Sequence, residues 1–371
     1  MKIRYTFVVL LLCVLSFAGC KDKDVETMAE LPVVEAPSPP PVPTVPPTPT
    51  PDPGPDLTGK RQSTLTGEWI DEEIVARRPV AVVVNNMRVA LPQSGISQAG
   101  VIYEVLAEGD ITRLVAVFDD FDSAKIGPVR SARDYFIDFA FDHDALFVHH
   151  GGSDSGYSAL RRLGIDRLDG MNNYIALWRD QGRYSIPRMR EHSSYTGMEL
   201  ILQEFEKQGV RLDRFEDFRP GWAFYPIEAL PVNGTPATKI TVPFSRNYAA
   251  VFHYDPEEQV YYKSFGMAED SHIDEETGEQ LSVTNILIQL TKMHVIAGDA
   301  AGRRDVTTVG QGEGYIVTGG EYAPVTWRRD SQQSPTKWYD EQGNRLRLNV
   351  GRTWICVHNG DVIFEGEEAV E

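Results

Sequence analysis

The sequence predicts a layered α/β domain with a mixed sheet, followed by a mainly β domain, so that the whole stands between α+β and α/β. Three observations predict this. Between residues 77 and 220, short apolar strand-like runs alternate with helix-spaced segments. From residue 221 onward, short strand-like runs follow one another, separated by turn residues. Inside the first region Glu108-Gly109-Asp110 is a hairpin turn, which places an antiparallel pair in an otherwise parallel pattern.

The elements follow in order. Residues 1–20 read as a secretion signal: Lys2 and Arg4 start it, residues 7–17 are apolar, and Ala18-Gly19-Cys20 ends it with small residues. That ending resembles a bacterial lipobox, which implies a lipid on Cys20 and anchoring to the membrane. The apolar run is shorter than the roughly 20 residues of a spanning helix. Cys13 leaves with the signal, so Cys356 remains alone in a strand pattern, with no disulfide partner and no thiolate metal cluster. Residues 21–60 are a tether, proline-rich from residue 31. Too little apolar surface is present for this segment to fold, and it favours polyproline II. At about 3.1 Å per residue it holds the folded part up to about 100 Å from the membrane.

Residues 61–220 form the predicted α/β domain. Strands are expected at 79–86, 101–106, 112–118 and 145–150, and helices at 131–141, 153–163 and 194–207. Residues 221–371 form the predicted β domain, with strands at 239–243, 249–254, 260–265, 285–292, 314–318, 323–328 and 352–357. Gly310-Gln311-Gly312-Glu313-Gly314 leads into a strand rather than a helix, so it reads as a hairpin bulge and not a dinucleotide site. Trp327, Trp338 and Trp354 suit a buried β core, or alternatively a sugar-binding face.

Charge separates the two regions. Residues 77–220 carry 18 basic side chains, 16 of them arginine, against 21 acidic; residues 221–371 carry 12 against 22. A net charge of −18 argues against nucleic acid as a partner and against binding to a broad anionic surface, but clustered arginines still make a local anion site. Arg130 and Arg133 follow the Gly127-Pro128 turn, and helical spacing would put them on one face. Pairing with nearby aspartates is the alternative. His149-His150-Gly151-Gly152-Ser153 ends an apolar run. Neighbours on a strand point apart, so only one histidine can face a pocket, where it would donate or act as a base, and the pair is a poor metal site. Gly151, Gly152 and Ser153 are candidate anion donors before a helix. Glu104 and Arg113 lie on the two hairpin strands, placed either to pair or to line the pocket. Arg183 and His192 belong to a polar, aromatic, arginine-rich loop from Trp178-Arg179-Asp180 to Thr196. No zinc or calcium spacing, P-loop, nucleophile elbow or kinase set is present, and no cofactor is expected.

These segments together carry a resemblance. Arg78-Pro79-Val80-Ala81-Val82, Pro92-Gln93-Ser94-Gly95, Val101-Ile102-Tyr103-Glu104-Val105, Ile111-Thr112-Arg113, Ile126-Gly127-Pro128-Val129-Arg130-Ser131-Ala132-Arg133 and His150-Gly151-Gly152-Ser153 resemble the YerB-like family of bacterial lipoproteins. The likeness covers roughly residues 68–360 and implies a domain of unknown function with a separate β-rich C-terminal part. Where that family often reads Pro-His-Asn-Leu-Tyr-Thr, this chain has Glu191-His192-Ser193-Ser194-Tyr195-Thr196, keeping His192 and Thr196. The order of landmarks also resembles LytR-CpsA-Psr phosphotransferases, whose arginines hold a polyprenyl-linked diphosphate. The aspartate that follows their central arginine is absent here, because Arg130 precedes Ser131 and Ala132.

The expectation is a membrane-anchored, extracytoplasmic lipoprotein that binds an anionic, phosphate-containing envelope ligand. Arg113, Arg130 and Arg133 would grip the charge, Gly151, Gly152 and Ser153 would donate hydrogen bonds, and His150 would sit close by. Two alternatives stand beside it: a phosphotransferase acting on polyprenyl-diphosphate glycans, or a scaffold whose β part docks an envelope protein.

Overall fold

The computed structural model describes residues 56–120, 124–226 and 234–366. The signal, Cys20 and most of the tether lie outside the described residues. The chain divides at Pro55 into two units, of which Asp56–Glu371 holds the architecture.

The principal strands of that unit are β1 (Val80–Asn85), β2 (Val101–Glu108), β3 (Ile111–Phe118), β4 (Leu146–His149), β5 (Arg167–Asp169), β6 (Trp178–Arg179), β7 (Ser194–Tyr195), β8 (Thr235–Pro236), β9 (Lys239–Pro243), β10 (Ala249–Asp255), β11 (Val260–Phe265), β12 (Asn285–Leu290), β13 (Gly310–Thr318), β14 (Glu321–Arg329), β15 (Lys337–Tyr339), β16 (Thr353–His358) and β17 (Ile363–Glu365). The longer helices are α1 (Asp134–Phe141), α2 (Asp154–Leu163) and α3 (Met198–Gln208).

One large mixed sheet runs in the order β8, β14, β13, β12, β16, β2, β3, β1, β4, β5, with β15 pairing β14. The valine run of β1 is buried along its whole length because it lies between antiparallel β3 and parallel β4. Gly109, with φ +51°, turns β2 into β3, and a register shift between Leu106 and Glu108 lets Glu108 lean away from the regular ladder. The composition change near residue 220 does not separate two sheets. Strand β16 from the C-terminal region lies between β12 and β2, parallel to both, and joins the β-rich part to the α/β part. A second sheet, β11-β10-β9-β17, packs over it around Trp354, whose ring lies 5.9 Å from Phe252 and 6.1 Å from His272.

Three expectations need correction. The helix expected from residue 131 begins at Asp134, and residues 127–132 are extended. Their main-chain groups are already engaged: Arg130 N–H donates to Val83 O, Val129 N–H to Ser194 O and Ala132 N–H to Gly151 O. Gly127 has φ +144°, and a Cβ there would stand 2.8 Å from Ser194 O, so only glycine fits. The helix expected from residue 194 begins at Met198, since Ser194–Tyr195 pairs with Trp178–Arg179 as a short ribbon. The glycines at 310–314 form no bulge. They lie in regular register with β14, and a Cβ at Gly314 would stand 2.2 Å from Ile288 O.

Trp327, Trp338 and Trp354 are at most 2% exposed, which removes the sugar-binding face. Cys356 is buried as well, and burial pushes its thiol pKa well up. Asp142, His143 and Asp144 are taken by the fold. Arg329 and Tyr103 bind Asp142, Tyr103 also meets His143 Nε2 at 2.9 Å, and Arg211 holds Asp144.

Candidate anion-binding cleft

A cleft of about 430 Å³ opens where the extended arginine segment, the turn after β4 and the arginine-rich loop meet. Arg130 and Ser131 form one wall, Gly151 and Gly152 the next, and Arg179, Glu191, Tyr157 and Met171 complete it. A larger hollow of about 670 Å³ lies on the other side of Asp169, but Arg161, Asp166 and Arg167 give it charges of both signs. Of these two hollows, the smaller one brings two guanidinium groups to one place with a single lining carboxylate.

That carboxylate, Glu191, has a side chain 77% exposed and reaches Arg130 at 3.4–3.5 Å. The firmer bond of Arg130 is Nη1 to the Glu191 carbonyl at 2.8 Å, and its buried Nε has no hydrogen-bond partner. Arg179 donates Nη1 to the Arg190 carbonyl at 3.0 Å and Nη2 to His150 Nε2 at 2.9 Å. Among the described residues no carboxylate lies within the 4.0 Å of an ion pair with it.

An arginine only donates, so His150 Nε2 must present its lone pair and the ring proton must sit on Nδ1, donating to Ser194 Oγ at 2.7 Å. Burial, then the charge of Arg179, pushes the His150 pKa down to about 4. The ring is neutral and holds Arg179 in place. His149 points into the core, where its Nδ1 meets Gly151 O at 2.8 Å.

Asp169, at the end of β5, organises the floor. Its Oδ1 accepts from Gly151 N at 2.9 Å and from Met171 N at 3.0 Å, while Oδ2 accepts from Tyr157 OH at 2.9 Å. Burial works to raise the pKa of this carboxyl. His149 and the two backbone donors outweigh it, and the result is lowered.

Of the residues singled out in the sequence, Arg130, His150, Gly151 and Gly152 line the cleft. The others do not. Arg113 and Arg133 are buried and both clamp Glu108, and Arg113 also reaches the Ser131 carbonyl behind the cleft wall. An extended chain sends residues three apart to opposite sides, so Arg130 faces the cleft and Arg133 the interior. Glu104 lies opposite Leu114 rather than Arg113. Its carboxylate accepts from Asn86, Thr112 and Trp354, with Lys263 at 3.9 Å. Ser153 caps α2 through Gly156 N, its own N–H is bonded to Ala132 O, and the Gly151 N–H is held by Asp169, so these two donors of the turn are already engaged by the fold. Arg183 reaches the carbonyls of Ala90 and Pro92, and His192 bonds Asn85, both outside the cleft.

Arg179, Glu191, Tyr157, Met171 and Asp169 were not singled out individually. The signal available for the first two was the arginine-rich loop 178–196 that contains them. Among the described residues no group of three or more His, Cys, Asp or Glu is placed to hold a metal ion.

Residues 65–211 match the N-terminal domain, and 240–355 the C-terminal domain, of a protein of unknown function, DUF3048. The chain is 34% identical over 310 residues to the putative lipoprotein YerB of Bacillus subtilis (strain 168), covering 82% of this chain and 88% of that protein. The crystal structure of the Bacillus subtilis YerB protein superposes with a TM-score of 0.70 at 30% identity, over 82% of this chain and all of that one. The extended arginine segment, the mixed sheet and the two matched domains thus have one source: the chain belongs to the YerB-like family of lipoproteins built from the DUF3048 domains.

Proposed function

We propose that this protein is held at the outer face of a membrane through a lipid on Cys20, and that its cleft binds a phosphate-containing envelope ligand between Arg130 and Arg179. The lipoprotein reading rests on the sequence ending at Cys20 and on the name of the Bacillus relative. The ligand reading rests on one observation: Arg179 stands on the cleft wall with no carboxylate ion-paired to it among the described residues. A phosphate supplies several acceptor oxygens in the geometry that a guanidinium fork matches. Arg130 would join by releasing the exposed Glu191 side chain, a weak contact in water. His150 acts as a rest for Arg179 rather than as a base, because its lone pair is engaged. This favours binding over phosphoryl transfer.

Calorimetric titration of Asp56–Glu371 with inorganic phosphate tests the reading. Binding that falls about tenfold or more in both Arg130→Ala and Arg179→Ala, with unchanged melting temperatures, is the expected result. Equal affinity in wild type and both variants refutes it.

A further inference from the structure

Five of the twelve exposed large apolar side chains among the described residues fall between 171 and 186, which marks this loop pair as a surface feature rather than scattered exposure. Met171, Tyr174 and Ile175 are 53, 76 and 59% exposed, and Tyr184 and Ile186 are 41 and 46% exposed. Two of them are placed at the cleft. Met171 lines it, and Tyr184 lies with its ring centroid 6.0 Å from the Arg179 guanidinium carbon. The first loop is held in this display. Asn173 Oδ1 accepts from the N–H groups of Ile175 and Ala176, and Tyr174 OH donates to the Met171 carbonyl. These polar groups are bonded within the loop, while Met171, Tyr174 and Ile175 face water.

Along the sequence this stretch is locally basic, although carboxylates from elsewhere in the fold also reach it: Asp169 accepts from Met171 N–H, Glu204 from the Asn173 amide, and Glu275 lies 3.7 Å from Arg183. Residues 170–192 carry four arginines, at 179, 183, 188 and 190, against Asp180 and Glu191, in a chain of net charge −18. Arginine beside exposed tyrosine, isoleucine and methionine is the composition of a surface that lies in a membrane interface.

We infer that this lip docks on an anionic bilayer. Tyr174, Ile175, Tyr184 and Ile186 enter the boundary between headgroups and acyl chains, and one lipid phosphate sits between Arg130 and Arg179. This rests on the phosphate reading of the cleft and adds the source of the phosphate.

The test is co-sedimentation of the lipid-free fragment Asp56–Glu371, which contains the whole contiguous core, with phosphatidylcholine vesicles with and without phosphatidylglycerol. Inorganic phosphate binding is measured in parallel. The fragment should bind the phosphatidylglycerol vesicles about tenfold more tightly. The variant Tyr174→Ser, Ile175→Ser, Ile186→Ser should lose about tenfold of vesicle binding and keep its phosphate affinity, which also shows that it is folded. If that variant sediments like wild type, or if vesicle composition makes no difference, the docking inference is overturned. Phosphate binding without vesicle binding overturns the docking and leaves the cleft reading standing. Binding of neither overturns both.

Discussion

Arg179 donates Nη2 to Nε2 of His150 at 2.9 Å, and this contact decides which nitrogen of the ring carries its proton. The proton stays on Nδ1, shared with Ser194, and the ring remains neutral while Arg179 stays put. Nitrogen-15 shifts of the imidazole should report the Nδ1–H form down to a midpoint of about 4. A midpoint near the ordinary 6.5 would contradict the geometry. The sign for stability follows. A histidine whose folded pKa is depressed adds stability that is complete above its unfolded pKa and is lost as pH falls from about 6.5 to about 4. His150→Asn should flatten this part of the pH dependence of melting.

Glu191 pairs with Arg130 and should compete with an incoming anion. An exposed pair contributes about 0.2–1 kcal/mol, so Glu191→Gln should tighten phosphate binding by a factor of about 1.4 to 5. Titration calorimetry measures the gain, and denaturant unfolding should show stability unchanged within about 0.5 kcal/mol.

Glu108 holds two buried guanidiniums at once, and burial alone would raise its pKa, yet Arg113 and Arg133 bring it below the usual carboxylate range. Glu108→Gln leaves those charges without a counter-ion. The expected cost in urea unfolding is about 3–5 kcal/mol. Adding Arg133→Met should recover part of it, because one unpaired charge is then removed.

Asp169→Asn tests the floor of the cleft. The amide keeps one acceptor for Gly151 and Met171 but cannot accept from Tyr157 on its nitrogen. Stability should drop by about 1–2 kcal/mol. Phosphate affinity should weaken with it, although Asp169 is not among the residues that wall the cleft.

The sequence made some of this legible and hid the rest, for physical reasons. The valine run of β1 and the turn at Gly109 announce themselves through burial and left-handed backbone. Ser153 as the cap of α2 is equally local. The arginine segment was misread because a spacing of three has opposite meanings in a helix and in an extended chain, and tertiary main-chain bonds chose the latter. The clamp on Glu108 depends on a register shift that no local pattern reveals. Arg179 becomes important only when the ribbon of β6 and β7 carries it to His150.

The position of β16 sets the order in which this molecule can be completed. Its Thr353 pairs with Val101 and Asn285, which precede it by 252 and 68 residues (353 − 101 and 353 − 285). A chain delivered from its N-terminus holds β2 ready for a neighbour that arrives nearly last. Until then, the five residues Val101–Val105 keep an open edge, a template for joining other chains. Closing so distant a contact is slow. A chain stalled or cut before residue 353 therefore cannot finish its central sheet, and that edge of β2 is covered only once β16 has been made.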